Sequence, residues 1–178
     1  MKILAPFLFA LAALGAKAAD QPLSQRVERG RYLVQVGGCA DCHTPLKQDP
    51  NGPKPDLTRQ LSGHPQTLKM PPSPALADGP WLVVSSATNT AWAGPWGVSF
   101  TANLTPDLDT GIGRWSERDF VETLRTSRHL GVGRPLLPPM PAAYGHMTEA
   151  DLKAMFAYLR TIPPVRNQVP VPLLPLPR

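Results

Sequence analysis

Proline sets the first limit on this chain. It supplies 23 of the 178 residues, more than twice its ordinary share of about 5%. Each proline fixes φ and removes a backbone donor, so it cannot sit inside a helix or a central strand. Helices must be few and separated by long ordered loops. A large internal core is then out of reach, and something beyond side-chain packing should help organise the fold.

Three segments escape the prolines. The first runs from Ser24 or Gln25 to about Gly37. Ser24 is a suitable N-cap with Glu28 in the first turns. Val27, Gly30 and Val34 share a face at spacings of three and four. Gly37 and Gly38 break the helix directly before Cys39, and a short helical turn follows through the cysteines. The second segment is "RWSERDFVETLRTSRH" (114–129). Ser116 and Asp119 have capping-box spacing, and Phe120, Val121 and Leu124 form an apolar side. The third is "MTEADLKAMFAYLRTIPP". Thr148 caps it with Asp151 three residues on, and Leu152, Met155, Phe156 and Leu159 follow a helical period. Pro163 and Pro164 end it.

Between Thr44 and Pro106 the chain is turn-rich. Its strand-like piece is "WLVVSS" (81–86), which forms a short hairpin with "TAWAG". We expect residues 45–100 to be a long Pro/Gly-rich insertion wrapped around the core. The Pro-rich tail, 166–178, is extended, either lying on the domain or disordered. "TPDLDTG" sets Asp107 and Asp109 near Thr110. It lacks the full calcium-loop pattern and reads as a turn.

The amino terminus reads as an export signal. Lys2 is a basic start, Ile3 to Leu14 is apolar, and Ala16-Lys17-Ala18 is a small-x-small cleavage pattern. The apolar run falls short of the ~20 residues that span a bilayer. Cleavage near Ala18 therefore leaves no stable membrane span; an uncleaved anchor is the alternative. Loss of Lys2 and Lys17 lowers the formal charge from +5 to +3. Lys and Arg are scattered, which argues against nucleic acid as a partner.

Both cysteines lie in "VQVGGCADCHTP" (34–45), and His43 follows Cys42 directly. A redox dithiol belongs between a strand and a helix. Here a helix precedes the motif and prolines follow it. A structural zinc usually takes four ligands, and no second cysteine pair exists. A Cys39–Cys42 disulfide would close a tiny, strained loop. Cys-x-x-Cys-His is also the attachment motif of c-type haem. On that reading Cys39 and Cys42 tether one haem, and His43 reaches the iron from the proximal side. A low-spin haem wants a second axial ligand, often methionine. Met140 in "LPPMPAAYG" is the best candidate, because a proline-stiffened loop loses little entropy when it fixes the sulfur. Met155 reads as core packing. His64, His129 and His146 read as surface or supporting groups rather than iron ligands. His43 should give its other ring nitrogen to a backbone carbonyl, with Pro53 or Pro55 as suppliers. Trp96, Trp115 and Arg134 are candidates to meet the haem propionates.

These motifs carry a family resemblance. "GRYLVQVGGCADCHTP" followed by "MPAAYGHMTEADLKAMFAYLRTIPP" resembles a class I c-type cytochrome. "NLTPDLDTGIGRWSERDFVETLRT" with "GRPLLPPMP" is similar to the cytochrome c subunits and domains of bacterial periplasmic dehydrogenases. Such subunits often carry several haem motifs; this chain has one. The resemblance implies a mainly α cytochrome c fold, with a few helices around one covalently bound haem, over residues 19–165. It implies that the first and last helices cross near the haem, with Gly30 at the close approach and Phe156 or Tyr158 packing there. It also implies a periplasmic electron carrier rather than an enzyme. Such a carrier takes single electrons from a dehydrogenase to a respiratory acceptor, an oxidase or another cytochrome. The alternative is a haem enzyme or sensor with an open sixth position.

Overall fold

A computed structural model describes residues 22–72 and 79–175. The expected signal peptide, residues 1–18, and the end of the tail, 176–178, lie outside the described residues. Within them are four α-helices and two small antiparallel sheets.

Helix α1 spans Leu23–Val36 and buries Gly30, Leu33 and Val34. Its start corrects the expected Ser24 cap. Pro22 holds the N-cap position, and no side chain caps the end. The Pro22 carbonyl accepts from the amides of Gln25 (2.9 Å) and Arg26 (3.1 Å). Proline's fixed φ already suits a helix start, so Ser24 lies inside the first turn. The Gly37 amide closes the last turn on Leu33 O at 2.8 Å. Gly38, at φ +68°, swings the chain into the five-residue helix α2, Cys39–His43.

Helix α3 is Glu117–Thr126 and α4 is Glu149–Leu159. The Ser116–Asp119 capping box forms in both directions, at 3.1 and 2.8 Å. It fixes the start of α3 three residues later than the sequence suggests. Ser127, at φ +51°, ends the helix early by entering the left-handed region. In α4 the Thr148 hydroxyl accepts from the Asp151 amide at 3.1 Å. Leu152, Met155, Phe156 and Leu159 are all buried, as their spacing predicts.

Helices α1 and α4 make the main packing contact of the fold. They cross at Gly30. A Cβ there would collide with the Ala154 carbonyl and stand 2.9 Å from the Tyr158 Cβ. Of the two expected partners, Tyr158 is therefore the one at the crossing. Phe156 instead packs on Phe120 of α3, with ring centroids 5.5 Å apart.

The expected hairpin forms in part. Strand β3 (Val84–Ser85) pairs with β4 (Ala91–Gly94), but Trp81 and Leu82 remain exposed. Two pairings were not foreseen. Strand β5 (Gly97–Phe100) adds a third strand beside β4, and β1 (Leu46–Lys47) pairs with β2 (Lys54–Pro55).

Side chains add to these short ladders in holding the 45–100 segment. The Leu61 amide donates to the Thr44 hydroxyl at 3.0 Å. His64 is fully buried, which corrects the surface place among its two expected ones. Its Nε2 lies 3.1 Å from Leu68 O and its Nδ1 3.0 Å from Thr90 Oγ1. A carbonyl only accepts, so Nε2 carries the proton and Nδ1 accepts. Asp107 accepts from the amides of Asp109 and Thr110 and from the Thr110 hydroxyl. That is the turn expected there.

Gly30→Leu should lower stability by about 3 kcal/mol or more, since its first carbon already meets the α4 backbone; an unchanged thermal melt contradicts the close crossing. Burial holds the His64 imidazole below its ordinary 6.5. The unfolded chain therefore takes up a proton that the folded chain refuses, and stability falls as pH drops below about 6.5. Thermal melts between pH 7.5 and 5.5 should show a shallower fall in His64→Gln than in the parent. An equal slope in both contradicts the assignment.

Candidate cofactor site

A cavity of about 520 Å³ lies between α2, α3, α4 and the loops around residues 99–112 and 134–141. That is within the ~300–1,000 Å³ of ordinary ligand sites. Cys39, Cys42 and His43 line it from α2, and Met140 lines it from the proline loop. The structure thus brings all four singled-out residues onto one cavity. Most other lining side chains are apolar, among them Leu104, Ile112, Phe120 and Leu124.

Helix α2 places three of these groups together because Gly38 turns so sharply. Its φ of +68° suits glycine, and a Cβ there would stand 2.9 Å from Asp41 Oδ2. The two thiols are not bonded to each other. Burial, with Asp41 adding to it, pushes the Cys39 thiol up to about 11. Burial and Asp41 push Cys42 upward as well. An exchange dithiol needs the opposite shift. Among the described residues, no three His, Cys, Asp or Glu side chains gather to hold a metal ion.

His43 is fixed by its Nδ1, which donates to the Ala102 carbonyl at 2.8 Å. This corrects the expected Pro53 or Pro55 carbonyl. Lys54 and Pro55 form the exposed β2 strand, whereas the chain leaving β5 returns to His43. The loop is clamped there. The Gly63 amide donates to His43 O at 2.8 Å and the His64 amide to Thr101 O at 3.0 Å. With Nδ1 protonated, the His43 Nε2 keeps its lone pair as a ligand atom. Burial lowers the pKa of the ring, and the bond to Ala102 opposes that shift.

Met140 sits in a loop held at several points. The Ser99 hydroxyl donates to Pro138 O at 2.5 Å. The Met140 amide reaches Leu137 O at 3.3 Å. The Tyr144 hydroxyl donates to Gly37 O, which ties the methionine loop to the turn before Cys39. Met155 also lines the cavity, from α4, but is 2% exposed and part of the core. Met70 and Met147 do not line it.

Of the other histidines, His129 lines the cavity, edge-on to Trp115 with centroids 5.3 Å apart. His64 and His146 do not. Trp115 and Arg134 are on the wall, as the propionate expectation requires. Trp96 is not: its ring lies over Gly94, 2.6 Å from where a Cβ would be. The sequence reading missed Ala102, Ser99 and Tyr144, and also the tail, whose Gln168 to Pro172 line the cavity. An alanine carbonyl leaves no mark in a sequence, whereas the Tyr144 hydroxyl in a proline loop is a usable signal.

No protein-family model matches the chain. It is 28% identical over 159 residues to the gluconate 2-dehydrogenase cytochrome c subunit of Pantoea cypripedii, covering 89% of this chain and 28% of that one. It is 30% identical over 153 residues to the fructose dehydrogenase cytochrome subunit of Gluconobacter japonicus, covering 85% and 24%. It is 30% identical over 150 residues to the cytochrome c subunit of the quinone-dependent alcohol dehydrogenase of Gluconobacter oxydans, covering 82% and 26%. The chain spans less than a third of the length of each of these relatives. Over most of its own length, then, the chain is related to part of the cytochrome c subunits of dehydrogenases.

Proposed function

We propose that this chain is an exported, mono-haem electron carrier of the class I cytochrome c kind, serving a dehydrogenase. The observation that carries the reading is the shared cavity. Two unbonded thiols, an imidazole with its Nδ1 committed elsewhere and a loop-held thioether line the same apolar space. That donor set fits a haem c. Cys39 and Cys42 would hold it by thioethers, and His43 Nε2 and Met140 Sδ would be its axial ligands. When bound, the haem supplies one-electron ferric/ferrous chemistry.

The protein's share is to position and to insulate. Ala102 orients His43. Ser99 and Tyr144 hold the methionine loop and limit the sulfur's freedom. Arg134, a permanent cation on the described wall, and Trp115 would meet the haem carboxylates. Leu104, Ile112, Phe120 and Leu124 keep water out, which favours the less charged ferrous state. The crossing of α1 and α4 is the arrangement such a cytochrome fold would use. The 19–165 domain and cleavage near Ala18 complete the reading, with the periplasm as the compartment. Among the described residues, no helix is long and apolar enough to cross a membrane. The partners are a dehydrogenase as donor and an oxidase or second cytochrome as acceptor.

The visible spectrum of periplasmically matured protein tests this beside Met140→Ala. The oxidised parent should show low-spin haem with the weak methionine–iron band at the red end, and Met140→Ala should lose that band. A high-spin, five-coordinate parent contradicts the carrier reading and favours a haem enzyme or sensor. A band that survives in Met140→Ala moves the sixth ligand to Met155.

A further inference from the structure

We infer that Asn167 positions the tail segment Gln168–Pro172 as a fixed wall of the cofactor site, which keeps water and small ligands from the cofactor. The inference rests on the haem reading above and extends it to residues outside the recognised motifs.

The segment is pinned at both ends. Asn167 is fully buried, and its side-chain amide is fully used. Its Nδ2 donates to Ser62 O (2.7 Å) and His64 O (2.9 Å). Its Oδ1 accepts from the Gln66 amide (2.9 Å) and from Arg59 Nη2 (2.9 Å). Its own amide donates to Thr110 Oγ1 at 2.9 Å. At the far end Leu173 and Val98 exchange backbone hydrogen bonds of 2.7 and 2.9 Å. Gly97, at φ +93°, lets the two chains come this close, since a Cβ there would collide with Leu173 O.

Between the pins the chain lines the cavity. Pro170 and Pro172 have no amide hydrogen to satisfy, so this stretch can lie against an apolar space at little polar cost. Val169 is half-buried, whereas Val171 is 79% exposed. The wall is therefore a single strand thick, with solvent on its outer side. Water reaching the iron would stabilise the ferric charge and lower the potential.

The test uses matured holoprotein. A chain stopped after Asn167 keeps the asparagine's contacts and removes the wall. It should retain the methionine–iron band, let added imidazole replace the sixth ligand about tenfold faster, and have a lower midpoint potential. In the full chain Asn167→Ala should shift both readouts in the same direction. Val169→Asp, also full-length, puts an anion on the wall and should lower the potential even if the stopped chain fails to mature. Parent-like imidazole kinetics and potential in a haem-bearing stopped chain overturn the wall, as does an unchanged potential in Val169→Asp. A parent chain without a haem spectrum contradicts the haem reading itself, and the wall with it.

Discussion

The close contact of α1 with α4 at Gly30 governs the rest of the structure. Glycine there lets the two backbones meet directly, so the helices cannot slide without a clash. Ion pairs beside the crossing add direction more than energy. Arg29 meets Asp151 at 2.9 Å, and Arg26 reaches Glu117 of α3. Such half-exposed pairs contribute about 0–1 kcal/mol each. The crossing fixes where α1 ends, and the Gly37–Gly38 turn then delivers Cys39, Cys42 and His43 to the cavity. From the other side, α4 supplies Met155 and Leu159 to the same space.

A chain this rich in proline cannot hold its loops by backbone ladders alone. Buried polar side chains take over that task. Asn103 accepts from the Thr105 amide and hydroxyl and donates to Val165 O at 2.8 Å. Asn167 gathers four further groups from the 59–66 stretch. Removing either asparagine side chain would leave buried backbone groups unpaired, at about 1–3 kcal/mol apiece. The loops are therefore ordered without being regular. The apolar core remains small and is interrupted by the cavity, so a bound cofactor would complete it and add stability by linkage.

The helices were legible because their signals are local. The Ser116–Asp119 box, the Thr148 cap and the Leu152–Leu159 period all lie within a few residues of what they control. The start of α1 is less legible: Ser24 looks like a cap, yet the helix begins a residue earlier, behind Pro22, with no side-chain cap. Cys39, Cys42 and His43 stand out as a contiguous motif and Met140 through its proline-stiffened loop, and the structure brings the four onto one cavity. The Ala102 support of His43, the burial of His64 and the role of the tail were not legible. They depend on contacts between residues 26 to 105 positions apart. No pattern of apolar spacing encodes such contacts. The third strand was missed for a related reason: "GVSF" has too few residues to show a period of two.

A covalent haem requires that Cys39 and Cys42 be its tethers. Intact-mass measurement of the periplasmically matured protein under denaturing conditions, with thiol alkylation, tests it most directly. The expected result is the mass of one haem retained on the cleaved chain and no alkylatable thiol. A chain of unadorned mass that takes up two alkyl groups would contradict it.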